Sequence, residues 1–225
     1  MNQDFSYLKT FIKEVIKESL IFEIAPQDFN SEKRAVITAG GPGAGKSTIA
    51  RLILGGLGFQ DRDVDDMLVY LLRREKMGTD MSQYSPEQHQ KKDELRNKTF
   101  SWIEKSQNSD IEKDRGVIVN TTGADVGFTL GLKKKFEDAG YDVKMLYIDS
   151  SLEDSLSRNK MRQRSLPQEV IQQKHKQVSG NLEAYRSAFG DNFHYYMNGS
   201  SRPSLKDPEI VSISKDFTNW RASRS

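Results

Sequence analysis

The strongest constraint on how this chain can fold is a cluster of glycines set between two apolar runs. AVITA (35–39) is followed by GGPGAGKS (40–47) and then TIARLIL (48–54). A short, largely apolar segment such as AVITA suits a strand buried in a parallel sheet. The glycines that follow accept backbone angles closed to other residues and let the chain wrap closely around a ligand. Thr48 to Leu57 reads as the helix beyond them. Gly40, Gly41, Pro42, Gly43, Ala44, Gly45, Lys46 and Ser47 together satisfy G-x-x-x-x-G-K-[ST], in the strand-to-helix context that the motif requires. Successive N–H groups and the positive end of the helix would face an anion, with Thr48 at the edge of the same site. Lys46 is expected to neutralise the β- and γ-phosphates, and the Ser47 hydroxyl to ligate Mg²⁺. The anion is therefore expected to be a nucleoside triphosphate.

The rest of the chain alternates. A short element around Phe59 to Val64 enters the helix of DVDDMLVYLLRREK, and residues 85–108 form a strongly polar helical region anchored by Leu95, Phe100, Trp102 and Ile103. The strand GVIVNTT, a helix from about Phe128 to Ala139 and the strand VKMLYID come next. They are followed by the helix LEDSLSRNKMR, a long helix from Gln168 to Phe189 and a last strand, NFHYYMN. Strands alternating with helices imply an α/β protein with a parallel sheet and right-handed crossovers. Residues 5–21 carry an amphipathic helical pattern, so 1–30 is expected to be a helix and linker that packs on the domain or on a protein partner. Residues 31–200 are expected to form one domain, and 201–225 a polar tail.

Charge and composition narrow the function. Lys+Arg 34 against Asp+Glu 32 leaves a net charge of +2, too little for a long-range field that attracts nucleic acid. The chain has no cysteine, which removes thiolate nucleophiles and Cys-ligated zinc and fits a reducing cytoplasm. Its apolar runs are much shorter than a membrane span.

Two further clusters accompany the glycine loop. Asp61, Asp63, Asp65 and Asp66 fall at the end of the second strand and the start of the next helix, on the sheet edge that the loop also faces. A carboxylate there could take the proton of an acceptor hydroxyl attacking the γ-phosphate. Arg158 and Arg162, four residues apart, project from one helix face with Arg164 just beyond. Guanidinium groups suit a transferring phosphoryl because they donate in a planar fork and remain charged.

From about Ala35 to Tyr185 the chain resembles P-loop kinases of the group that includes zeta toxins and bacteriophage polynucleotide 5′-kinases. The resemblance is carried by the loop, by GFQDRDVDDML, by GVIVNTTG and by GYDVKMLYIDSSLEDSLSRNKMRQRSLPQEVI. It implies a kinase-type P-loop NTPase: a three-layer sandwich around a central, mainly parallel five-stranded sheet, with a helical insertion at about 77–110 and an arginine lid at about 151–168. It implies Asp65 as the general base, with Asp63, Thr121 and Thr122 near the acceptor. Arg158 and Arg162 would be the lid arginines that close over the phosphates, and Arg164 a second arginine of the zeta type. Two positions depart from the pattern. Met67, Leu68 and Val69 stand where an arginine for the acceptor phosphate is expected, and Asn120 stands where the central strand should end in an acid, leaving Asp63 or Asp65 to compensate through water.

The expected function is transfer of the γ-phosphate of ATP to a hydroxyl of a nucleotide-like acceptor, a nucleic-acid 5′ end or a nucleoside-sugar. A small-metabolite kinase, an NTPase switch and a nucleotide-binding module without chemistry are the alternatives. No Asn-Lys-x-Asp signature for guanine is present.

Overall fold

The computed structural model describes residues 33–78, 81, 84–161 and 167–223. The expected N-terminal helix lies outside them, as do Arg162 and Arg164. Five strands, β1 (Arg34–Ala39), β2 (Gln60–Arg62), β3 (Val117–Asn120), β4 (Asp142–Asp149) and β5 (Phe193–Met197), form one sheet in the order β2-β3-β1-β4-β5. Every pairing is parallel, with Ile37 opposite Val119 on one side and Met145 on the other. The chain therefore reverses its winding direction at β1, and the glycine loop leaves from that switch point.

The helices are α1 (Lys46–Leu54), α2 (Val64–Arg74), α3 (Pro86–Glu112), α4 (Val126–Asp138), α5 (Leu152–Lys160), α6 (Gln168–Gly180), α7 (Leu182–Phe189) and α8 (Pro208–Ala222). Alternation along β1 divides its side chains between two cores. Val36 packs with Ile49 and Ile53 of α1 and Phe217 and Trp220 of α8. Ala35 and Ile37 pack with Phe136 of α4, Val178 of α6 and Tyr185 of α7. Each buried Val, Ile or Phe among them contributes about 1.5–3 kcal/mol. The parallel α/β fold expected from the alternation of elements, and the three layers and five strands implied by the resemblance, are present.

Most of the segment expected to be a helical insertion, about 77–110, lies in α3, which packs on α2 through Leu68, Leu72 and Leu95. Helix α3 opens with a capping box between Ser85 and Gln88. Near its end, Asp110, fully buried, accepts from Nε and Nη2 of Arg62 at 2.8 and 2.9 Å, tying α3 to β2. None of the described helices is long and apolar enough to cross a membrane.

Three boundaries differ from the sequence reading. The first helix begins at Lys46 and ends at Leu54, because Gly45 supplies a left-handed N-cap and Gly55 ends it. The expected helix 168–189 is two helices that meet at Asn181, whose Nδ2 donates to the carbonyls of Gly123 and Ala124 at 3.0 Å each. The expected polar tail contains α8, which buries Ile210, Ile213, Phe217, Trp220 and Arg221. Its polar residues made 208–222 read as tail, but Pro208 at the start and the Asp207 cap are ordinary helix-initiating chemistry.

Candidate active site

The loop between β1 and α1 is built from close approaches. Gly43 and Gly45 adopt φ 81° and 88°, the left-handed region that favours glycine. A Cβ on Gly43 would lie 2.5 Å from the Ser155 carbonyl oxygen, and one on Gly45 would lie 2.3 Å from Asn198 Nδ2. Asn198 Nδ2 donates to the Ala44 carbonyl at 2.7 Å. Arg158 donates from Nη1 to the Gly43 carbonyl at 2.8 Å, and from Nη2 to the carbonyls of Asn198 and Gly199 at 2.7 Å each. Gly40 N–H donates to the Thr122 carbonyl at 3.3 Å, so the loop is also tied to the exit of β3.

Lys46 Nζ donates to the Gly40 carbonyl at 2.7 Å, which holds its ammonium over the loop. Ser47 and Thr48 are exposed at the start of α1. Amides in the first turn of a helix have no intrahelical acceptor and carry the positive end of its dipole.

Across from the loop, Asp63 caps α2. Its Oδ1 accepts from the N–H groups of Asp65 at 2.7 Å and Asp66 at 3.3 Å. Burial pushes the Asp63 carboxyl above its ordinary pKa, against the pull of those two donors. Asp61 is raised as well, first by burial and then by the charge of Asp63. Asn120, at the end of β3, accepts from Thr38 Oγ1 at 2.7 Å and donates from Nδ2 to Asp61 Oδ1 at 2.7 Å. The carboxylate nearest the Asn120 position is thus contributed by Asp61 of β2. Asp63 and Asp65, named in the sequence reading for that compensation, border the cavity.

A cavity of about 520 Å³ joins these parts. Gly41, Gly43, Gly45, Lys46 and Ser47 border it on one side, and Asp63, Asp65, Thr121 and Thr122 on another. Gly40 and Ala44 support the loop from behind. The Thr121 hydroxyl is buried and donates to the Thr38 carbonyl at 3.0 Å, so it braces the sheet. Thr122 is exposed, its Oγ1 accepting only a long 3.4 Å bond from Ala124 N–H. Arg158 stands outside the cavity wall, committed to the loop carbonyls. Sequence reasoning missed Arg96, Phe100, Phe128 and Val170, which also line the wall. Their only advance signal was the spacing of Arg96 and Phe100, one turn apart on a polar helix.

Among the described residues there is no group of three or more His, Cys, Asp or Glu side chains able to hold a metal. The Ser47 hydroxyl and the Asp63 carboxylate on one cavity instead fit an ion of the Mg²⁺ type, bound through few protein oxygens together with substrate phosphates.

A family model described as an AAA domain, AAA_33, matches residues 36–184. The chain belongs to this family. The match runs from β1 through α7 and so includes the glycine loop, the acidic cluster and Asn120. No curated protein matches the sequence. Among solved structures, the chain is similar to a candidate kinase from Chloroflexus aurantiacus J-10-fl, with TM-score 0.55, 12% identity, and coverage of 84% of this chain and 98% of that one. It is similar to the AvrRxo1-ORF1:AvrRxo1-ORF2 complex with ATP, with TM-score 0.54, 15% identity and coverage of 76% of this chain and 55% of that one. It is also similar to the Pnkp1/Rnl/Hen1 RNA repair complex, with TM-score 0.51, 20% identity and coverage of 68% and 46%. At these identities the likeness is one of fold.

Proposed function

We propose that this AAA_33 member is an ATP- and Mg²⁺-dependent phosphotransferase whose acceptor is the hydroxyl of a nucleotide-like molecule, in the manner of the zeta-toxin and polynucleotide-kinase group. One observation carries the reading: the carboxylates of Asp63 and Asp65 border the same cavity as Lys46 and Ser47. An NTPase uses one such acid beside its metal, whereas phosphoryl transfer to an alcohol also needs a proton acceptor, and two carboxylates on the cavity supply both.

In this reading the loop amides and Lys46 hold the β- and γ-phosphates. Bound Mg²⁺, on the Ser47 hydroxyl with Asp63 nearby, would neutralise charge on those phosphates. Asp65 accepts the proton of the acceptor hydroxyl as its oxygen bonds to the γ-phosphorus; the bond from that phosphorus to the bridging oxygen breaks, and ADP leaves. Asp63, fixed by its two capping bonds, orients the site, and exposed Thr122 contacts the acceptor. Positioning and charge stabilisation supply most of the acceleration in such reactions.

The test is transfer from γ-labelled ATP with Mg²⁺ into separate pools of 5′-hydroxyl oligonucleotides, nucleosides and nucleotides, UDP-sugars, and sugar metabolites, with Lys46→Ala as the blank. Label in one of the first three pools supports the reading. Label in the sugar metabolites points to a small-metabolite kinase, and label released only as free phosphate points to an NTPase switch.

A further inference from the structure

The wall of the cavity away from the loop has a chemistry of its own. Phe100 on α3 and Phe128 in the first turn of α4 border the same space, and they are 47% and 57% exposed. A single exposed phenylalanine is unremarkable on a protein surface. Two on different helices, bordering one cavity whose other lining side chains include Asp63, Asp65, Thr122 and Val170, form a pair of exposed aromatic faces on the same space. Arg96 lies one turn before Phe100 and also borders the cavity, its Cζ 5.8 Å from the centre of the Phe100 ring. Among the described residues its guanidinium forms no salt bridge, although acids line the opposite wall.

The topology says which substrate these groups meet. The loop leaves β1, whose neighbours on one side are β3 and then β2. Asp63 and Asp65 follow β2, Phe128 follows β3, and Arg96 and Phe100 belong to the helix between those strands. All of them come from elements that enter or leave β2 and β3, on one side of the loop, and all border the cavity with the carboxylates. A molecule resting on Phe100 and Phe128 would present its hydroxyl toward Asp65, so these residues meet the acceptor. Their helices are anchored: α3 is tied to β2 by the Arg62–Asp110 pair, and Phe128 N–H donates to Asp125 Oδ1 at 2.9 Å.

We infer that Phe100, Phe128 and Arg96 form an acceptor clamp that takes a planar ring between or against the two phenyl faces and an anionic substituent on the guanidinium. The occupant with both features and a free hydroxyl is a nucleotide, free in solution or at the end of a chain. The clamp rests on the phosphotransferase reading for its role and supplies a contact for the acceptor phosphate where residues 67–69 offer no arginine. An arginine laid over an aromatic ring keeps its planar fork free for a phosphate.

The experiment is calorimetric binding to the full chain with ADP and Mg²⁺ saturating, so that turnover is not needed. The probes are adenosine 3′- and 5′-monophosphate, adenosine, ribose 5-phosphate and a 5′-hydroxyl dinucleotide. A nucleotide is expected to bind at least about 10-fold more tightly than ribose 5-phosphate. Phe100→Leu and Phe128→Leu are each expected to weaken it by roughly 5- to 150-fold, the range for loss of base–aromatic stacking. Phe100→Tyr should restore it, and Arg96→Gln should remove the preference for nucleotide over adenosine. A dinucleotide binding more tightly than either mononucleotide would identify a chain end as the source, and equal affinity a free nucleotide. Equal binding of ringed and ringless probes, or unchanged affinity in folded Leu variants, overturns the clamp. Loss of ADP affinity in those variants, with acceptor affinity intact, would assign the rings to the donor nucleotide and overturn it too. If the binding pattern appears but no label ever moves from ATP, the transfer reading fails and the clamp stands.

Discussion

Asn120 and Asp61 are joined at the end of the sheet, Nδ2 donating to Oδ1 at 2.7 Å, while Asn120 also accepts from Thr38. The amide is the bridge between a hydroxyl that must donate and a carboxylate that can only accept. Asn120→Asp should therefore break the bridge and set two carboxylates side by side. Like charges raise a carboxyl pKa, and burial already raises that of Asp61. A carboxyl whose folded pKa lies above its unfolded value binds protons more readily when folded, so the penalty is largest when the pH is well above both values. The variant should lose about 1.5–3 kcal/mol at pH 7, the scale for a hydrogen bond to a charged group. Chemical denaturation at pH 7 and pH 4.5 should show the gap to wild type narrowing at the lower pH.

Asp63 and Asp65 can be told apart because only Asp63 caps a helix. Asparagine caps about as well as aspartate, so Asp63→Asn should leave the melting temperature nearly unchanged, whereas Asp63→Ala should lose about 1 kcal/mol. Asp65→Asn touches no cap. If Asp65 is the base, that variant keeps ATP affinity while transfer falls by roughly 100-fold or more. Single-turnover rates and nucleotide affinity, measured on all three, separate the roles. Normal transfer by Asp65→Asn would reassign the proton to Asp63.

Arg158 read from sequence as a lid arginine, yet it makes three bonds to backbone carbonyls that join the glycine loop to the end of β5. Its removal should act first on stability and on the shape of the loop. Arg158→Gln should lower stability by about 2 kcal/mol or more, because bonds with one charged partner are the strong ones. ATP affinity should fall with it. A variant with unchanged melting temperature and a lowered kcat would instead assign the guanidinium to the phosphates.

What the sequence made legible follows from how local each signal is. The glycine loop is contiguous, and its strand and helix carry separate periodicities, so the loop, β1 and α1 could be read directly. The acids 61–66 could be placed at a sheet edge, but which of them would meet Asn120 depended on the β2–β3 register, Asp61 opposite Ile118, which no local pattern encodes. The break at Asn181 was hidden because apolar spacing continues through it from Val178 to Tyr185; its cause is a side-chain amide bonded to a loop nearly 60 residues away. Arg96, Phe100 and Phe128 were hidden for the same reason, the first two lying in the crossover that follows β2 and the third in the one that follows β3.

Helix α8, read as tail, should prove necessary for nucleotide binding. Trp220 Nε1 donates to Asp142 Oδ2 at 2.6 Å, its ring packs against Phe59 and Phe217, and Ser214 Oγ donates to the Ile53 carbonyl of α1. Trp220→Ala should lose about 3–5 kcal/mol. Because α8 packs on α1 within the core that both share with the sheet, the same variant should bind ATP more weakly even at temperatures where it stays folded. Thermal melting and nucleotide titration at low temperature test both.

His194 gives the fold a dependence on pH that is independent of the active site. Its ring lies on β5, half-buried, 4.6 Å from the ring of Phe217, with Lys144 Nζ 3.4 Å from Nε2. Burial, and then the Lys144 charge, push its pKa down from 6.5 to about 4, while Asp216 pulls the other way. The unfolded chain takes up a proton near pH 6.5 and the folded chain only near pH 4, so between those values the unfolded state binds more protons. The stability that the neutral ring contributes is therefore fully present above pH 6.5 and is lost progressively as the pH falls toward 4. His194→Gln removes the titrating group and its ring contact together. The variant should be less stable than wild type at pH 7.5, because Phe217 loses its neighbour, and the difference should shrink steadily by pH 4.5. A difference that stays constant across that range would mean that the folded protein accepts the proton on His194 as readily as the unfolded chain does.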